Sequence, residues 1–180
     1  MKKFKRILAP TDFSPYSDDG LRYAAFLAEK FGAEVLVFHV ISPEELRERE
    51  FLPPVSGQAD VLLQAPMPFD FSRESLPPPA RRYVDEIYKD TEQEAVNHFR
   101  KAIGAGKNGF KFWAAAASGV PFVEIIRKAR EENCDLIVMA THGRTGLNHV
   151  LMGSVSEKVV RMADCPVLTI RPADHKFEMP

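Results

Sequence analysis

The residues best suited to chemistry lie in the last third of the chain, in Met139-Ala-Thr-His-Gly-Arg-Thr-Gly146 and Gly153-Ser-Val-Ser-Glu157. Three features of this segment serve anion binding. Gly143 and Gly146 remove side chains where the backbone must turn or approach a ligand closely. Gly153-Ser154 lies at the start of a helical pattern, where unpaired N–H groups and the positive end of the dipole favour phosphate. Ser154 adds a hydroxyl donor, and Arg144 a cation of sufficient reach. A second reading stands beside this one. Ser154-x-x-Glu157 is also a capping box, and Gly143 and Gly146 also suit ordinary turns. Near the other terminus, Asp12-Phe-Ser-Pro15 is turn and cap chemistry ahead of a helix.

Other motifs fall away on context. Gly104-Ala-Gly-Lys-Asn-Gly109 matches G-x-G-x-x-G, but it follows a helix and precedes a strand, the reverse of a dinucleotide fingerprint. Lys107 is followed by Asn108, so it is no Walker loop. None of the five histidines lies in an H-E-x-x-H or H-x-E pattern. His39, in an apolar strand, reads as a hydrogen-bonded structural histidine. No G-x-S-x-G elbow is present. His142 is the one candidate general base beside the glycine-rich segment, and no residue is assigned as catalytic. Cys134 and Cys165 are too few for a disulfide framework, so a reducing, cytoplasmic setting is expected.

These residues need a frame. Arg6–Ala9, Glu34–Ile41, Phe110–Ala117, Asp135–Ala140 and Pro166–Arg171 read as strands, near-continuously apolar as strands buried on both faces are. Between them fall helical patterns: Leu21 to Phe31 ending at Gly32, Val84 to Ala102, Pro121 to Glu132, and Gly153 to Ala163. Alternation of this kind implies a doubly wound α/β fold with a parallel sheet. Ligands then bind beyond the carboxyl ends of strands at the switch point. Pro10-Thr11-Asp12, Val40-Ile41 and Thr141 to Ser154 are therefore the positions to watch.

The 180 residues fit one domain, residues 1–180. A net charge of -1 argues against nucleic acid or an anionic membrane as the main partner. No apolar run approaches the about 20 residues of a membrane span. Of 14 prolines, eight fall between Ser42 and Ala80. That stretch cannot be a run of helices. It reads as an insertion. Its Phe51, Leu52, Leu62, Leu63, Phe69 and Phe71 suit either a lid over the ligand or a contact with a partner subunit; the plain alternative is a loop.

The segment Ala140-Thr-His-Gly-Arg-Thr-Gly146, then Gly153-Ser154-Val, then Cys165-Pro-Val-Leu-Thr-Ile170, closely resembles the universal stress protein family, in its UspA-like nucleotide-binding branch. Arg6-Ile-Leu-Ala-Pro-Thr-Asp-Phe-Ser14 and His39-Val-Ile41 resemble the family's first two strands. Its motif is Gly, two residues, Gly, nine residues, Gly, then Ser or Thr. Gly143, Gly153 and Ser154 fill the last three positions; Ala140 stands where the first Gly is expected. The resemblance implies a five-stranded sheet of order 3-2-1-4-5, adenine nucleotide alpha hydrolase-like. It implies ATP, or AMP or ADP, bound between the first and fourth strands, with Mg²⁺ or Mn²⁺ on the phosphates. By position, Pro10, Thr11 and Asp12 would meet adenine and ribose, and Val40 and Met139 would line the adenine pocket. Ala140, His142 and Gly143 would lie along ribose and phosphates; Gly153, Ser154, Val155 and Ser156 would hold phosphates. A branched side chain at position 153 is then expected to fill the phosphate seat. The final strand resembles the family's homodimer edge. The expected role is a nucleotide-binding stress-response regulator. A slow ATPase and an interaction protein that binds no nucleotide are the alternatives.

Overall fold

The structure is a computed structural model and describes residues 4–42, 45, 78–104, 109–142 and 152–171. In chain order the elements are β1 (Arg6–Pro10), α1 (Pro15–Phe31), β2 (Glu34–Ile41), α2 (Pro78–Ile103) and β3 (Phe112–Ser118). They continue with α3 (Pro121–Glu131), β4 (Leu136–Ala140), α4 (Ser154–Met162) and β5 (Val167–Ile170). The strands form one parallel sheet in the order β3-β2-β1-β4-β5, as expected. Strand β1 is therefore central, with β2 on one side and β4 on the other.

Side-chain alternation explains the layers. Ile7, Ala9, Val35, Val37, Leu136 and Val138 point to one face, where Leu21, Ala24 and Ala28 of α1 and Ala95 and Phe99 of α2 cover them. Leu8, Leu36, Phe38, Ile137 and Met139 point to the other, beneath Ile125 and Ala129 of α3 and Val159 of α4. Both faces are dry, which is why these strands read as unbroken apolar runs. Strand β3 contains four alanines in a row, good helix formers in isolation. Continuous pairing with β2, from Val35↔Phe112 to Ile41↔Ser118, holds them extended.

Helix ends follow local chemistry. Ser14 caps α1, accepting from the Ser17 N–H, and Pro15 occupies the first turn. Gly32 closes α1 at φ 65°, a left-handed conformation that costs glycine little. One boundary differs from expectation. Helix α2 begins at Pro78, so Pro78, Pro79 and Ala80 are helical and not part of the preceding connection. Prolines are tolerated there because first-turn N–H groups have no partner within the helix. Residues 43–44 and 46–77 lie outside the described residues, and with them the reading of that stretch as a lid, a contact or a loop. Gly104 follows α2 at φ 83°, at the sheet end opposite the strands' carboxyl termini. No helix among the described residues is long and apolar enough to cross a membrane.

At Gly20, α1 packs closely on β4. A Cβ there would lie 3.0 Å from the Ala140 amide nitrogen and 3.2 Å from the Met139 carbonyl carbon. Gly20→Ala gains up to about 1 kcal/mol of helix propensity. The added methyl meets strand backbone, and overpacking costs about 1–3 kcal/mol. We expect a net loss of stability in urea unfolding; a gain would show that α1 shifts freely on β4. The thiols give a second prediction. Burial pushes the Cys134 thiol up to about 12, and burial also raises Cys165, which is the more exposed of the two. At pH 8 iodoacetamide should therefore modify Cys165 well before Cys134 in the native protein. Equal rates by mass spectrometry would contradict the buried placement of Cys134.

Candidate functional site

A cavity of about 320 Å³ opens beyond the carboxyl ends of β1, β2 and β4, at the switch between β1 and β4. Its volume is within the roughly 300–1,000 Å³ of small-molecule sites. Pro10, Thr11 and Asp12 line it from β1, Val40 from β2, and Met139, Ala140 and His142 from β4. Gly153, Ser154, Val155 and Ser156 line it from the start of α4. Thus every described residue that the resemblance assigns to the nucleotide lines one cavity. Gly143 lies outside the described residues, as do Arg144 and Gly146.

The α4 wall is built on the Thr141 carbonyl. It accepts from the Gly153 N–H at 2.7 Å and from Ser156 Oγ at 2.9 Å. Ser156 Oγ also lies 2.9 Å from the Gly153 carbonyl. Gly153 is the N-cap residue, and its carbonyl accepts from the Glu157 N–H at 2.9 Å. The capping-box reading therefore fails: no side chain caps α4, and Ser154 is its exposed first residue. The N–H groups of Ser154, Val155 and Ser156 belong to the first turn and have no acceptor within the helix. A Cβ on Gly153 would lie 3.1 Å from the Thr141 carbonyl oxygen. Smallness at 153 thus keeps α4 against β4. The Cβ of a larger residue here would press on the Thr141 carbonyl oxygen at the edge of the cavity that Gly153 lines.

The β1 wall is a hydrogen-bonded loop. Ser17 Oγ donates to the Ser14 carbonyl at 2.8 Å, so the Thr11 hydroxyl, 3.0 Å away, donates to Ser17 Oγ. Thr11 Oγ1 in turn accepts from the Phe13 N–H at 3.0 Å. Asp12 Oδ1 accepts from Ser14 Oγ at 2.6 Å and from the Ser14 N–H at 3.1 Å. Asp12 therefore has the turn role read from its sequence context and also lines the cavity.

Sequence reasoning missed several lining residues. Phe38, Pro121 and Ile125 join Val40 and Met139 in an apolar wall. Ser17, Ser42 and Glu45 also line the cavity, as does His39, whose expected structural role holds: its ring is buried and doubly hydrogen-bonded. Glu45 was legible. Ser42-x-x-Glu45 is a capping box, and the Glu45 N–H donates to Ser42 Oγ at 3.1 Å while the Ser42 N–H donates to Glu45 Oε2 at 3.4 Å. The apolar wall was not, because Pro121 and Ile125 come from α3, remote in sequence from every motif.

The cavity thus has two chemically distinct parts. At the α4 end, unpaired N–H groups and the helix dipole favour an anion. The lining from Phe38, Val40, Pro121, Ile125 and Met139 is apolar and suits a flat or hydrophobic group. Among the described residues no three His, Cys, Asp or Glu side chains gather as a metal site.

Comparison with known proteins identifies the family. Residues 3–171 match the model of the universal stress protein family. The chain is 33% identical over 168 residues to universal stress protein MJ0531 of Methanocaldococcus jannaschii, covering 93% of this chain and 82% of that one. Solved structures share the fold. A universal stress protein in complex with cAMP superposes with TM-score 0.56 at 17% identity, covering 94% of this chain and 98% of that one. One from Archaeoglobus fulgidus in complex with dAMP gives 0.51 at 20% identity, covering 93% and 98%. This chain belongs to the universal stress protein family.

Proposed function

We propose that this chain binds an adenine nucleotide, ATP or its di- or monophosphate, in the cavity between β1 and β4, and acts as a homodimeric regulator. The supporting observation is that one cavity is lined both by the α4 N-terminus and by an apolar group of side chains. Phosphate is placed at the first-turn N–H groups of Ser154, Val155 and Ser156, with Ser154 Oγ beside them. The base is placed against Val40, Met139, Pro121 and Ile125. Asp12 is placed at the ribose, where a carboxylate accepts from sugar hydroxyls. Two related folds carry cAMP and dAMP, which agrees with an adenine nucleotide. A bound Mg²⁺ or Mn²⁺ would rest chiefly on the ligand's phosphates and water, with at most one or two carboxylates of the chain.

The dimer reading rests on β5, an edge of the sheet. Leu168 is 36% exposed on this strand, and Val160 and Met162 of α4 are exposed as well. An unpaired edge with apolar neighbours is a template for a second strand. Two free thiols suit a reducing compartment, consistent with a cytoplasmic protein.

Three measurements test these statements. Purified protein is denatured and its supernatant assayed for adenine nucleotide, with equilibrium dialysis against ATP and AMP. Nucleotide in neither experiment would sink the reading. Gly153→Val should weaken ATP binding at least about tenfold, or about 1.4 kcal/mol, because the side chain drives α4 off the Thr141 carbonyl. Circular dichroism checks that the fold survives, and unchanged affinity would place the phosphate elsewhere. Leu168→Lys puts a charge on the β5 edge and should convert dimer to monomer in analytical ultracentrifugation. A dimer that persists would assign the interface to another surface.

A further inference from the structure

One imidazole touches both neighbours of Asp12. His39 lies in β2 and is 1% exposed. Its Nδ1 is 2.8 Å from the Thr11 carbonyl oxygen. A carbonyl only accepts, so Nδ1 carries the proton and donates. On the far side of Asp12, Phe13 stacks on the same ring, with centroids 4.3 Å apart and planes inclined by 24°. Phe13 has φ 61°, a left-handed conformation that a bulky residue adopts only when its surroundings impose it. The His39 ring, the edge contact to His98 at 5.5 Å and the hydrogen bond from its N–H to Thr11 Oγ1 impose it here. The second ring nitrogen is engaged as well. His39 Nε2 lies 3.3 Å from Glu45 Oε1, a hydrogen bond when the ring carries a second proton or the carboxyl is protonated, and Glu45 is clasped to Ser42 where the chain leaves β2.

We infer that His39 is a positioning residue of the cavity. It fixes Thr11 and Phe13, and so aims Asp12; Glu45 holds the imidazole in that orientation and ties the connection after β2 to the β1 loop. Histidine suits the position because it combines an N–H donor with a flat face. Asparagine would keep the donor without the face, and phenylalanine the face without the donor. The consequence for ligand affinity rests on the proposed nucleotide reading; the control of the loop is measured without ligand.

The test uses the full chain as wild type, His39→Asn, His39→Phe, Glu45→Ala and the His39→Asn/Glu45→Ala double variant. Amide hydrogen exchange is followed at Phe13 and Ser14 in ligand-free protein, and ATP affinity by calorimetry. His39→Phe should speed exchange at both amides and weaken ATP about tenfold, while His39→Asn stays within about threefold of wild type. Glu45→Ala should weaken ATP in the wild-type background and have little effect in His39→Asn, which lacks Nε2. Unchanged exchange in His39→Phe, with only the melting temperature lowered, would make His39 a plain core residue and overturn the inference. Equal loss from Glu45→Ala in both backgrounds would overturn the relay, since Glu45 would then act on the ligand directly. If His39→Phe does not fold, Glu45→Ala decides: faster exchange at Phe13 and Ser14 supports the inference, and unchanged exchange overturns it. Should wild type bind no ATP, AMP or ADP, the nucleotide reading fails, while the exchange data still judge the loop.

Discussion

The cavity depends on one carbonyl group. Thr141 follows β4, and its oxygen accepts from the Gly153 N–H and from Ser156 Oγ. Its own N–H donates to the Ile170 carbonyl of β5 at 2.8 Å. A peptide oxygen has two lone pairs, and both are used here. Residue 141 thus ties β4, β5 and the start of α4 together. The first turn of α4 is held at the strand end by that junction, and its residues line the cavity. The same contact favours glycine at 153, since a Cβ would come within 3.1 Å of the oxygen that makes it.

The β1 wall obeys a parallel constraint with different chemistry. Strands β1 and β4 are neighbours, but their following helices leave toward opposite faces of the sheet. That divergence opens the crevice. Where α4 is held by backbone, the β1 loop is held by short polar side chains. Thr11, Asp12, Ser14 and Ser17 satisfy one another and the first N–H groups of α1 within a few residues of sequence. Burial of these polar groups costs little because each has a partner.

The fold was legible because its strands are apolar without interruption and its helices carry their own punctuation, as at Ser14-Pro15, Gly32 and Pro121. The α4 end of the cavity was legible from Gly153-Ser154, although the reason for glycine was not. A close approach to the Thr141 carbonyl is a tertiary distance, and no spacing rule encodes it. Ser154-x-x-Glu157 satisfies the capping pattern one residue late; the chain places Gly153 at the cap instead. The start of α2 lies earlier than its periodic apolar residues suggest for a related reason: prolines break helix interiors, but the first turn accepts them.

Ala140 stands where the family motif has its first glycine, and the strand geometry shows where its methyl group goes. Along β4, Leu136 and Val138 point to the α1 layer, and Ile137 and Met139 to the α3 and α4 layer. Ala140 continues the first set and pairs with Ile170, which packs in that same layer. Its methyl group therefore projects toward α1 and not toward the α4 N-terminus. On that side Gly20 carries no side chain, and the space a Cβ would need there is already taken by the Ala140 amide and Met139 backbone. The close packing of α1 on β4 is thus supplied by glycine in the helix, while the strand position accepts alanine. Under the nucleotide reading, the departure at Ala140 leaves the phosphate end of the cavity, built on Thr141 and Gly153, unaltered.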